Sequence, residues 1–152
     1  MGNETKIDFR YCRLEDLVNV CELLNENNLP VADLDLSKVR ITVAGNSNII
    51  VGCIGIEEYS SDGLLRSFAV LKRLRGKGIG EKLLHNLLTY CSQRGINTLH
   101  LLTETAEGYF SKKGFALASR DQAPDSIKGT SEFTDLCPAS CTYMVLDLRS
   151  EV

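Results

Sequence analysis

A chain of 152 residues, 43% hydrophobic and 24% charged with a net charge of −3, has the makeup of an ordinary globular protein and room for one domain. That charge excludes a surface built throughout to neutralise nucleic-acid phosphates, and no apolar run approaches the roughly 18 residues needed to span a bilayer. The polar start Met1-Gly2-Asn3-Glu4-Thr5-Lys6 lacks the apolar stretch of a secretory signal, so the expectation is one cytoplasmic domain over residues 1–152, with neither nucleic acid nor membrane as partner.

In chain order, Lys6 to Cys12 alternates as a strand, and Leu14, Leu17, Val18, Cys21 and Leu24 recur at helical spacing up to the polar run Asn25 to Asn28. A short helical piece is expected around Asp33 to Ser37. Val39 to Ala44 and Ile49 to Ile56 are rich in β-branched residues, with Gly45-Asn46-Ser47-Asn48 between them as a hairpin turn and Glu57-Glu58 closing the second strand. Leu64 to Val70 is a further strand after the Ser61-Asp62-Gly63 turn. From Ile79, the positions Leu83, Leu84, Leu87 and Leu88 follow a helical period that Gly95 ends. Ile96 to Thr103 reads as a strand, Ala106 to Lys113 as a short helix stopped by Gly114, and Phe115 to Ser119 and Thr142 to Leu148 as strands. Asp121 to Pro138 is a long connection with a helical turn after Pro124. The order predicts an α/β (α+β) architecture that mixes hairpins with at least one parallel crossover.

Six cysteines invite a disulfide or metal reading, and their settings argue against both. Cys12, Cys21, Cys53 and Cys91 stand singly in patterned segments, where a reduced thiol behaves as a small apolar residue. Cys137 and Cys141, in Cys137-Pro138-Ala139-Ser140-Cys141, lack a second pair or a nearby His, so the expectation is free thiols and no metal, with a soft metal or metalloid contact as the alternative. His85 and His100, without spaced partners, are expected at the boundary of the core.

The stretch that carries chemistry is Val70-Leu71-Lys72-Arg73-Leu74-Arg75-Gly76-Lys77-Gly78-Ile79-Gly80-Glu81, between a strand and an amphipathic helix. The first amides of a helix have no intrahelical partners and the dipole there is positive, so an anion can be held. Glycines let it approach the backbone, and Arg75 and Lys77 add full charge beside it. A dinucleotide fingerprint would need Gly where Glu81 stands, and a P-loop would need a Gly-Lys-Ser/Thr ending that is absent. A solvated basic turn would use the same charges and leave the later motif unexplained.

What remains, Arg75-x-x-Gly78-x-Gly80 after a strand, resembles the coenzyme A loop of the GNAT acetyltransferase superfamily. The resemblance extends to Thr103, Ala106, Tyr109, Phe110, Gly114 and Phe115, which match that family's Asn-x-x-Ala-x-x-Phe-Tyr-x-x-x-Gly-Phe pattern. It implies a mixed, mostly antiparallel central sheet of about seven strands flanked by helices, and acetyl-CoA as co-substrate. It further implies that the pantetheine arm pairs with the backbone of Phe68, Ala69 and Val70, the pyrophosphate lies on Arg75, Gly76, Lys77, Gly78, Ile79, Gly80 and Glu81, and Thr103 and Phe110 adjoin the cofactor.

The acceptor amine must lose a proton before attack, for which Glu57, Glu58 and Glu104 are candidates, each with a surface carboxylate as the bland alternative. The family's proton-donating Tyr falls on Phe110, and Tyr109 points about 100° away on a helix, so water, Thr103 or Thr105 is left to attend the thiolate. Leu64-Leu65-Arg66-Ser67 and Leu136-Cys137-Pro138-Ala139-Ser140 resemble the arsenic-resistance subgroup, which implies an amino-acid-like toxin of the arsinothricin or phosphinothricin type. Arg66 or Arg120 would then receive one of its anionic groups, against the alternative of a surface ion pair. Because Phe110 carries no proton, a noncatalytic domain that senses acetyl-CoA is the second reading. Exposed strand edges admit a homodimer.

Overall fold

The computed structural model describes residues 6–46, 49–137 and 140–150. The Met1–Thr5 start, Ser47 and Asn48 of the expected turn, and Pro138 and Ala139 of the cysteine segment lie outside them. Seven strands form one sheet in the order β1-β2-β3-β4-β5-β7-β6, numbered along the chain. They are β1 (Asp8–Tyr11), β2 (Arg40–Gly45), β3 (Ile50–Tyr59), β4 (Asp62–Val70), β5 (Thr98–Thr103), β6 (Ala116–Leu117) and β7 (Thr142–Asp147). The described registers are antiparallel except β4 with β5, which run parallel from Asp62↔Thr98 to Leu64↔His100. A parallel pair needs a crossover, and α2 (Ile79–Arg94) supplies it. The fold expected from the sequence is the fold observed.

Two compact units divide the chain. The first comprises the chain up to Ile56 together with Ser67–Thr89. There α1 (Leu17–Glu26) places Val20, Leu23 and Leu24 against Val39, Ile41, Val43, Cys53 and Ala69. Of the apolar face expected from the sequence only Leu24 is buried, Leu17 and Cys21 are half-buried, and Leu14 and Val18 are exposed, because the helix turns its Val20–Leu24 side to the sheet. A one-turn 3-10 helix, Leu14–Asp16, leads into α1, and Arg10 holds the Asp16 carboxylate through two hydrogen bonds of 2.7 and 3.0 Å. Gly45 sits at a register shift, where a Cβ would come within 2.0 Å of the Ile49 carbonyl oxygen, so only glycine fits that end of β2.

The second unit comprises Glu57–Arg66 and the chain from Tyr90 onward. Its core packs Leu64, Ala123, Ile127 and Tyr143, with Tyr59, Leu102 and Phe133 against them. Two short helices, α3 (Glu107–Lys112) and α4 (Asp125–Lys128), belong to it, and Glu132–Leu136 form a π-helical turn.

Several local expectations need correction. Residues 33–37 are turn and irregular backbone, because the Asp35 carboxylate accepts from the Ser37 amide and hydroxyl (2.9 and 2.8 Å) and so draws the backbone away from a helix. Glu57 and Glu58 do not close β3, which runs on to Tyr59. The strand expected at Phe115 to Ser119 shrinks to Ala116–Leu117. His100 is buried, its ring nitrogens 2.7 Å from the Tyr143 hydroxyl and 2.8 Å from Asp62 Oδ1.

All six cysteines are free thiols. Burial pushes Cys53, Cys91 and Cys137 up to about 12 and Cys12 up to about 11, and it raises Cys141 as well. Among the described residues no three His, Cys, Asp or Glu side chains are grouped to hold a metal, and no helix is long and apolar enough to cross a membrane.

Candidate active site

Residues 71–82, the glycine-rich link between β4 and α2, belong to the first unit. Leu71 leaves β4 with its amide bonded to the Val51 carbonyl at 2.8 Å, and a single 3-10 turn, Lys72–Leu74, carries the chain to the glycines. Gly76 and Gly78 both adopt positive φ, +81° and +89°, where an L side chain is strained. Nothing lies within 4 Å of a Cβ built on either one, so the space above the backbone is open. The first intrahelical bond of α2 runs from the Lys82 amide to the Gly78 carbonyl, 3.1 Å, which places the amides just before Lys82 in the unclosed first turn. Lys77 is exposed beside them. Arg75 is exposed as well, and its guanidinium donates to Asn27 Oδ1 at the end of α1.

β4 supplies the next candidates. Phe68 and Val70 are half-buried and Ala69 is buried against the α1 core. Just before them Ser67 has φ +56°, a left-handed residue inside a strand. Its carbonyl accepts from the Cys53 thiol at 3.2 Å. Such strain in a non-glycine residue persists only where the surroundings impose it, and it gathers at functional segments.

In the second unit Glu57 and Arg66 come together. Strand alternation puts Glu57 on the same face as Tyr59, whose hydroxyl donates to Glu57 Oε1. Arg66 Nη1 donates to Glu57 Oε2 at 2.7 Å, and Arg66 Nε lies 3.5 Å from Glu132 Oε2. The Arg66 side chain has 0% exposure, with Glu57 at 8% and Glu132 at 5%. The surface carboxylate and surface ion pair weighed from the sequence are thus replaced by a buried ionic cluster. Glu58, on the other face, accepts from the Tyr90 hydroxyl and lies 3.3 Å from Arg94 Nε.

The remaining candidates are dispersed through this unit. Thr103 Oγ1 accepts from the Ala106 amide at 2.9 Å, which starts α3, while Glu104 and Thr105 are exposed. Phe110 is buried, with its ring edge-on to Phe115 and to Tyr109. Arg120 donates to the Phe133 carbonyl at 3.0 Å and lies over the Phe133 ring. Cys137 is half-buried and Cys141 buried, and burial raises both thiols.

Sequence reasoning missed Asn27, Tyr59, Ser67 and Glu132. Asn27 had a signal in its polar run, and Tyr59 had one in the i, i+2 spacing from Glu57. A left-handed Ser and a π-helical Glu leave none.

The acetyltransferase (GNAT) domain model matches residues 37–117 of the chain. An uncharacterised N-acetyltransferase of Chlorobaculum tepidum is 31% identical over 86 residues, 56% of this chain and 55% of that protein. An amino-acid acetyltransferase of Proteus mirabilis is 29% identical over 120 residues, 78% of this chain and 26% of that protein. The chain therefore spans about half of the first relative's length and about a quarter of the second's. In fold it is similar to N-acetylglutamate synthase of Neisseria gonorrhoeae, solved with coenzyme A and N-acetyl-glutamate (TM-score 0.78, 19% identity, 97% of this chain and 36% of that one). It is similar too to a GNAT acetyltransferase of Staphylococcus aureus (TM-score 0.75, 21% identity, 94% and 99%).

Proposed function

Because the chain belongs to the GNAT acetyltransferase family, we propose that it transfers the acetyl group of acetyl-CoA to the amino group of a small, amino-acid-like molecule. The observation that carries this reading is the start of α2, where two left-handed glycines, an unclosed helical turn and exposed Arg75 and Lys77 form a seat for a diphosphate. Residues Arg75 to Glu81 would hold that group, and the backbone of Phe68 to Val70 would pair with the pantetheine arm as an added strand. Acetyl-CoA supplies an activated acyl group on a thioester sulfur.

The chain's own part is to orient the acceptor and take up its proton. An alkyl ammonium with pKa near 10 is mostly charged at neutral pH, so a base is needed. Glu57 is the carboxylate we assign, since Tyr59 and Arg66 fix its orientation, whereas Glu58 is held by Tyr90 and Arg94 and Glu104 is exposed. No acid stronger than water is required for the leaving thiolate, whose pKa is about 8.5. This suits a Phe at position 110, with Thr103 or Thr105 able to order that water.

The relatives named for amino-acid acetylation support an amino-acid-like acceptor. The narrower proposal, an arsinothricin- or phosphinothricin-type acceptor in an arsenic-resistance setting, rests on the Leu64–Ser67 and Leu136–Ser140 resemblance, and Arg120 is the cation we assign to its anionic group. A cytoplasmic location, where acetyl-CoA is made and used, belongs to the same proposal. Release of free thiol is followed with acetyl-CoA and a panel of amino acids, including these two. Turnover on an amino acid supports transfer. Tight acetyl-CoA binding with no turnover on any amine would favour the sensor reading, for which the missing hydroxyl at Phe110 is the supporting observation.

A further inference from the structure

We propose that Glu132 is a positioning residue for the transfer, acting through Arg66 to fix the carboxylate of Glu57; the inference rests on Glu57 being the proton acceptor of the function proposed above. The cluster is deeply buried: one guanidinium without exposure, Nη1 on Glu57 at 2.7 Å and Nε 3.5 Å from Glu132. An Arg side chain is long and flexible, and a contact at Nη1 alone holds its guanidinium at one point. A second carboxylate facing Nε holds it at another, and the two together favour one placement of Nη1 against Glu57.

Stability alone does not account for the arrangement. A buried ion pair or triad is commonly matched or exceeded in stability by apolar residues of similar volume, and carboxylates are seldom so buried unless something holds them there.

Glu132 is also delivered by uncommon backbone. Residues Glu132–Leu136 are π-helical, and the Cys137 amide bonds to the Glu132 carbonyl at 3.0 Å, a geometry that is rare and concentrates at functional sites. The turn is held at its start. Thr130, buried, donates its hydroxyl to the Ile127 carbonyl at 2.8 Å, and Phe133 packs edge-on to Tyr143 at 5.3 Å. The carboxylate is thus carried on a rigid mount.

The experiment compares Glu132→Gln, which keeps shape and loses charge, with Glu132→Asp, which keeps charge and shortens reach. Thiol release is measured against amino acid and acetyl-CoA separately, with thermal unfolding by circular dichroism. Glu132→Gln is expected to lower kcat by about 10-fold, part of what a positioned general base contributes, while KM for acetyl-CoA stays within about 2-fold. Glu132→Asp should fall between it and the wild type. In a Glu57→Gln background, Glu132→Gln should add almost nothing to the loss, since the group it positions is gone. A kcat for Glu132→Gln equal to the wild type, or an equal loss with and without Glu57, overturns the inference. If Glu132→Gln does not fold, Glu132→Asp decides: reduced kcat at constant acetyl-CoA KM supports the role, and unchanged kcat refutes it. Wild-type chain that binds acetyl-CoA yet acetylates no amine would instead overturn the transfer reading, and the inference with it.

Discussion

Gly78 offers the sharpest test of the anion seat, because strain and charge can be separated there. Its φ of +89° is costly for any L residue, but no atom lies within 4 Å of a built Cβ. Gly78→Ala therefore probes backbone strain alone, about 1–2 kcal/mol for a left-handed non-glycine residue. At 2–4 °C per kcal/mol for a chain of this size, the melting temperature should drop by roughly 2–8 °C. Gly78→Asp carries no more backbone strain than alanine, since Asp tolerates positive φ better, and adds a carboxylate beside the diphosphate. Two charge repulsions across about 5 Å of partly screened solvent sum to about 2 kcal/mol. That corresponds to a dissociation constant for coenzyme A about 30-fold weaker than that of the alanine variant. Titration calorimetry at low salt measures both variants, and the gap should narrow in 1 M salt as screening tightens. Equal affinities for the two variants at low salt would show that no anion sits at the start of α2, and the assignment of Arg75 to Glu81 would go with it.

Three further outcomes are expected. Arg66→Met leaves Glu57 and Glu132 buried without their shared guanidinium and should destabilise the fold by about 3–5 kcal/mol, read from urea denaturation; an unchanged midpoint would deny the cluster any structural weight. The Asp16 carboxyl is held down at about 2, first by its hydrogen bonds from Arg10 and, against the opposing effect of burial, by the Arg13 amide. Its folded pKa lies below the unfolded value, so its contribution, about 2 kcal/mol, is complete above pH 4 and is lost as the pH falls through 2. The stability difference between wild type and Asp16→Asn should shrink across that window, and a flat difference would refute the assignment. Phe110→Tyr should change kcat of the proposed transfer by only a small factor if water attends the thiolate, whereas a large gain would show that the absent hydroxyl limits that transfer.

The glycine loop before α2 was legible because its glycines, cations and helix start are contiguous, and contiguity is what a sequence displays. The sheet followed from β-branched runs and turn residues. The Glu57, Arg66 and Glu132 cluster was hidden for the opposite reason: Arg66 and Glu132 stand 66 positions apart, and charged residues read as surface until a partner is seen. Asp33 to Ser37 misled because an Asp that suits a helix start suits an Asx turn equally well. Ser67 gave no warning at all, since a left-handed serine is imposed by the strands around it and not by its own preference.

The buried thiols have a consequence for the chemistry proposed. Acyl thioesters exchange readily onto sulfur, and a cysteine with an ordinary pKa would be a competing acceptor on the very chain that binds the donor. Burial pushes the Cys53, Cys91 and Cys137 thiols up to about 12, which keeps them protonated at neutral pH. Self-acylation at these three sulfurs is thereby disfavoured.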